Sequence, residues 1–228
     1  MADEPAPLGP TQHDPAVQGG YAAQSVYAER MQAIEDDTSL SELDRAEAIV
    51  EAYEAQNAEL TKLTTDLHER RVSRLAHLQS QVPTGPGIPD DASQADKAVL
   101  GAAFRAALEQ ARAAGYDQRR AMLADALKFG DDSTLRALLT AADENGDVKL
   151  VDAWASATGN EPILSEIRDL NRQLGGNHSG RPWEGQAFRA PKRPAAIANL
   201  PLLRKQAEEA ARAEMRSQRF ARPVYSRY

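Results

Sequence analysis

The sequence predicts an all-α protein: one long helix followed by a small bundle of short helices, with extended N- and C-terminal arms. Three observations carry that prediction. Residues 41–82 run for 42 positions without a single Gly or Pro. Five later apolar runs at helical spacing are each closed by a glycine, at Gly115, Gly130, Gly146, Gly159 and Gly175. Aromatic residues make up only 5% of the chain while Ala is abundant, so the core is built of Leu, Ala, Ile and Val, and no alternating strand pattern appears anywhere.

Residues 1–20 hold Pro5, Pro7, Pro10 and Pro15 with Gly9, Gly19 and Gly20. Such a stretch buries too little apolar surface to offset the entropy of ordering it, which predicts an extended acidic arm. From Tyr21 onward Val26, Tyr27, Met31 and Ile34 fall at helical spacing until Asp36 and Asp37 end the run, predicting a short helix of about four turns. Ser39 can then cap the long helix as half of a capping box with Glu42, and Ser41 is an equally good cap. Residues 21–82 are thus read as a short helix plus a strut about 63 Å long.

Along the strut Tyr53, Gln56, Leu60, Leu63 and Leu67 alternate spacings of three and four, the pattern of a seam against a partner helix. The next seam positions, Arg70 and Arg74, are charged, and the apolar row moves to Arg71, Leu75, Leu78 and Val82. That shift is a stutter, which locally unwinds a left-handed supercoil. Two packings satisfy the seam: against the chain's own domain, or as a coiled coil between subunits.

Residues 83–92 place three prolines and two glycines in ten positions and read as a linker. Residues 93–175 then form a five-helix domain. Ser93 caps a helix through Val99, Leu100, Phe104 and Leu108; Asp117 caps one through Met122, Leu123 and Leu127; Ser133 caps one through Leu135, Leu138 and Leu139; Asp147 precedes Val148, Val151 and Trp154; and Pro162 sits in the first turn of Ile163, Ile167, Leu170 and Leu174. Trp154 and Phe104 are the expected large core residues. Residues 176–200 read as a Gly/Pro-rich loop whose Trp183 and Phe188 either pin it to the domain or dock on a partner. Residues 201–228 form a basic helix, starting at Pro201 and ending near Phe220, and a tail.

The net charge of −7 conceals a gradient, with −11 over residues 1–60, −3 over 61–180 and +7 over 181–228. Ends of opposite sign suit head-to-tail contact or the docking of a charged partner. The absence of Cys removes disulfides and thiolate metal sites. No apolar run approaches the roughly 18 residues of a membrane span, and the acidic N-terminus lacks the order of a signal peptide. A soluble protein with no membrane association and a cytoplasmic location is expected.

Catalytic and metal motifs fail on spacing. A calcium loop starting at Asp143 would need Gly at its sixth position and a carboxylate at its twelfth, where Val148 and Trp154 stand. His68 and His77 lie nine residues apart, on opposite helix faces, and His13 and His178 fall in expected loops. Gly175–Gly180 has neither the preceding strand nor the following Lys of a phosphate loop. No catalytic residue, metal or cofactor is assigned, and a non-enzymatic protein is expected.

The best functional candidate is the tail. Arg216, Arg219, Arg222 and Arg227 alternate with Phe220, Tyr225 and Tyr228, a set that grips an acidic protein surface with arginine forks and aromatic anchors, or stacks on bases beside a nucleic-acid backbone. The acidic N-terminal half would repel a long polyanion and favours protein. A third possibility is a regulatory adaptor whose 93–175 domain binds a peptide between its helices.

The order of an acidic arm, the long helix 41–82 and the basic segment 201–228 resembles tailed-bacteriophage scaffolding proteins and other internal virion-assembly proteins. The resemblance implies a structural or assembly role, in the cytoplasm or a virion, with docking on protein subunits of a larger homo- or hetero-oligomer through the long helix and the basic aromatic tail.

Overall fold

The computed structural model describes residues 5–175 and 182–220, with side chains described as far as Ser217 in the last helix. Among these residues the chain is all-helical and contains no strand. A short 3-10 turn, Thr11–His13, precedes helices α1 (Pro15–Asp36), α2 (Glu42–Ser80), α3 (Gln94–Ala113), α4 (Tyr116–Phe129), α5 (Asp132–Asn145), α6 (Val148–Thr158), α7 (Glu161–Leu174), α8 (Pro182–Ala187) and α9 (Ala196–Phe220). The chain divides into two compact units, Met1–Pro7 with Arg70–Asn177, and Leu8–Glu69 with His178–Tyr228. The division falls inside the continuous helix α2, and the 83–92 segment belongs wholly to the first unit.

The N-terminal arm and the start of α9 differ from the sequence reading, and the choice between Ser39 and Ser41 at the start of α2 falls to Ser41. The N-terminal arm is helical from Pro15 because Asp14 accepts a hydrogen bond from the Ala16 N–H at 2.8 Å and Pro15 occupies the first turn, where its missing N–H costs nothing. The start of α2 is fixed by Ser41, whose hydroxyl accepts from the Asp44 N–H at 3.1 Å and donates to the Asp44 carboxylate at 2.6 Å. Ser39 instead turns back on Asp37, and the two hydrogen bonds that it gives hold the Asp37 carboxyl below its ordinary range. At the other end α9 begins at Ala196 and runs through Pro201. The carbonyls of Pro194 and Ala195 accept from Ile197, Ala198 and Asn199, which anchors the first turn, while Pro201 in the second turn forfeits one backbone hydrogen bond and crowds the Ile197 carbonyl.

In the second unit α1 and the 42–69 part of α2 form an antiparallel pair. Its contacts descend in step: the Asp37 carbonyl accepts from Arg45 at 2.8 Å, Arg30 pairs with Glu51 at 2.9 Å, Gly19 faces Leu63, and Val17 shares a core with Leu67. Helix α8 closes that end. Ala16, Val17, Leu67 and Ala187 are buried together, with Tyr21, Leu63 and Phe188 packed around them. The Gln24 side-chain amide donates to the Gln186 and Ala187 carbonyls at 2.6 and 2.7 Å, satisfying the end of α8. Farther up, burial beside Tyr53 raises the Tyr27 phenol above its ordinary value.

The first unit holds α3 to α7 around Leu138, Leu139, Leu150 and Trp154, all at 2% exposure or less. Helix α5 is central and packs on α3, α4 and α6. Its cap is Asp131 and not Ser133: the carboxylate accepts from the Thr134 N–H at 3.0 Å and from the Thr134 hydroxyl at 2.7 Å. Helix α4 starts at Tyr116, so Asp117 lies inside its first turn instead of capping it. Phe104 is buried as expected, against Ala107 and Ala137. The 83–92 segment folds onto this unit: the Gly85 N–H donates to the Thr140 hydroxyl at 2.8 Å, and Val82 just before the segment packs on the core.

Candidate functional site

The proposed seam of α2 is largely covered. Leu60, Leu67 and Leu78 are buried along with Gln56, while Tyr53, Leu63 and Leu75 are half-buried. The partner of Leu63 and Leu67 lies in the same chain, at Ala16, Val17 and Tyr21. The charged interruption is also different in kind from a solvated stutter. Arg71 and Arg74 are 4% and 6% exposed, and they continue the buried row from Leu67 to Leu78. Arg74 sits within the first unit, where its guanidinium donates to both Glu166 oxygens at 2.8 and 3.0 Å and to the Pro5 carbonyl at 2.9 Å. A bidentate fork of this kind offsets the cost of taking the charge out of water. The sequence signal was present, since position 74 shares a face with Leu67 and Leu78, but its partner is 92 residues away.

The two expected loop anchors differ. Phe188 packs on the Ala16–Val17–Leu67 core of α1 and α2, so it pins the segment there and not to the 93–175 domain of the sequence reading. Trp183 is 48% exposed and contributes its carbonyl, which accepts from the Tyr21 hydroxyl at 3.2 Å. Ala187 is buried in that core in place of the indole.

Of the tail residues, Arg216 is exposed on α9. Arg219 and Phe220 lie in the last turn of α9 with their side chains outside the described residues, and Arg222, Tyr225, Arg227 and Tyr228 are outside them altogether. Every residue of α9 from Arg204 to Ser217 is exposed, Met215 to 62%, and Leu202 before them is 59% exposed. Arg204 pairs with Glu47 of α2 at 2.9 Å, and the Lys205–Glu209 and Glu208–Arg212 pairs run along the helix itself. Among the described side chains of α9 Leu200 alone is buried, with Ala196, Ile197 and Leu203 half-buried.

Sequence reasoning missed a groove in the first unit. It encloses about 520 Å³ between the end of α2, the α5–α6 turn and α7, within the range of ligand-binding clefts. Leu139, Ala142, Val151, Leu164 and Ile167 make an apolar floor, and Asp143, Asp147, Arg168 and Asn171 stand at its rim. Gly146, at φ 64°, turns the chain between α5 and α6 so that Asp147 can cap α6 through the Leu150 N–H at 3.3 Å. Asp147 also lies 3.6 Å from Arg119, while Arg168 is paired with Asp152 of α6. The residues expected from the sequence to form a helix cap therefore also form one wall of a cleft. A smaller hollow of about 250 Å³ lies in the second unit between Leu60, Thr64 and Phe188.

Among the described residues no group of three or more His, Asp or Glu side chains is placed to hold a metal ion, and no helix is long and apolar enough to cross a membrane. No family model, curated protein or solved structure matches the chain.

Proposed function

We propose that the protein is a non-enzymatic assembly protein that docks on partner protein subunits through its C-terminal helix and basic tail. The observation that carries this reading is the exposure of α9 from Arg204 to Ser217. Isolated helices are marginal in water and gain most of their stability from packing an apolar face. Here the end of the helix presents Arg216 beside Met215 and leads into the Arg- and aromatic-rich segment 216–228, a combination suited to an acidic protein surface. Because the first half of the α2 seam packs on α1, docking is assigned to α9 in place of the strut. Support for a virion component or scaffold comes from the layout: an acidic beginning, a long helix and a basic end.

Capture of a partner from the native source tests the reading. The full chain is expected to retain a stoichiometric protein partner that a chain lacking residues 204–228 loses, with the remaining helical signal unchanged. Equal capture by both overturns it. A nucleic-acid-binding accessory protein would instead lose binding steeply between low and moderate salt.

A further inference from the structure

We propose that the groove between α5, α6 and α7 receives the C-terminal segment 219–228 of a second copy of this chain, so that copies associate tail into groove. The inference rests on the docking role assigned above to α9 and the tail, and names the partner.

Charge and polarity match. The groove floor is apolar, with Val151 and Ile167 only half-buried and Val148 55% exposed beside them. At its rim Asp143 is exposed, Asp147 is partly exposed and pairs with Arg119 at 3.6 Å, and Arg168 is engaged by Asp152. Segment 219–228 offers Phe220, Val224, Tyr225 and Tyr228 with three arginines and no acidic residue. Apolar side chains for the floor thus alternate with cations for the rim, the complementarity that fixes register and partner choice. The helix that carries the segment is exposed over fourteen residues, Arg204 to Ser217, which presents its end to another molecule. Every copy carries one tail and one groove, so the contact is heterologous and propagates unless its rotation closes a ring. That property is what an assembly protein needs.

Light scattering of the full chain tests this. The expected result is a mass above the 24.8 kDa of one chain that rises with concentration. Asp143→Lys on the exposed rim and Tyr225→Ala in the tail should each weaken association roughly tenfold or more. Mixing the two variants should restore a one-to-one complex, since one intact groove then meets one intact tail. A free peptide of residues 216–228 should disperse the wild-type oligomer. A monomer at every concentration overturns the proposal, as does an oligomer that neither the variants nor the peptide disturb. A monomer that still captures a foreign protein through α9 overturns the second-copy occupant alone and leaves the docking function standing.

Discussion

Gly20 of α1 lies directly against the backbone of Ala187 in α8: a Cβ on Gly20 would stand 2.7 Å from the Ala187 carbonyl oxygen. That carbonyl is held by the Gln24 amide at 2.7 Å, so it cannot simply swing aside. Gly19 next to it meets only the tip of the Leu63 side chain, 3.1 Å away, which a rotamer change accommodates. Both are helical, and Ala gains about 0.8–1.0 kcal/mol over Gly in a helix interior. Overpacking against backbone costs about 1–3 kcal/mol. Gly20→Ala should therefore lose about 1 kcal/mol net, while Gly19→Ala should be neutral or slightly stabilising. Urea denaturation of the two variants checks the order, and the reverse order would mean that α8 does not seat on α1.

The buried Arg74 fork yields a second expectation. Glu166 is 31% exposed at its side chain, so water still reaches the pair and it behaves as a hydrogen-bonded charge and not as a deeply buried ion pair. Glu166→Ala should cost about 1.5–3 kcal/mol by leaving the guanidinium without its carboxylate. Arg74→Lys should recover only part of the wild-type stability, because an ammonium cannot make both bonds of the fork. Arg74→Met, which removes the charge and keeps apolar volume, should cost less than Glu166→Ala. Denaturation midpoints of the three variants decide the ranking.

These two sites also mark where the sequence stopped being readable. Helices α3 to α7 were legible because each carries its own punctuation within a turn of its ends: Ser93 before α3, Gly130 after α4, Asp147 before α6, and Pro162 in α7. Trp154 and Phe104 were legible as core because each shares a face with other apolar residues. Gly19 and Gly20 looked like breakers, since the approach of α8 that explains Gly20 comes from 167 positions further along the sequence. Arg74 looked like an interruption for the same reason. The groove was invisible because its lining comes from the end of α2, the segment after it, and three later helices, and no local spacing encodes such a meeting.

Asp131 supplies a pH dependence. The backbone N–H and then the hydroxyl of Thr134 hold its carboxyl below the ordinary range, because both bonds favour the charged form. With the folded value depressed, the stabilisation is complete above the unfolded value of about 4 and is lost as pH falls through the folded one. Asp131→Ala should cost about 1 kcal/mol at neutral pH as a lost helix cap. Asp131→Asn still caps, so it should retain most of the neutral-pH stability and lose the portion of the acid dependence that Asp131 contributes. The measurement is the denaturant midpoint of each protein from pH 6 down to about pH 2. Parallel acid profiles for wild type and Asp131→Asn would show that the capping carboxylate does not contribute.

Ala210, in the middle of the exposed part of α9, separates a docking helix from a structural one. Proline there removes a backbone hydrogen bond and clashes with the preceding turn, costing the helix about 3 kcal/mol. Since residues 204–217 are exposed, that cost should stay local. The expected result for Ala210→Pro is a loss of helical circular dichroism equivalent to part of α9, with the denaturant midpoint and its slope unchanged for the rest of the chain. Leu200→Ala, at the buried start of the same helix, should instead shift the midpoint, by about 2–5 kcal/mol if the site does not collapse. Partner capture should fall for Ala210→Pro even though stability does not, because the anchors from Arg216 onward lose the rigid helix that positions them. A midpoint that falls with Ala210→Pro as much as with Leu200→Ala would make α9 a packed element of the fold, and the docking role would then have to move elsewhere.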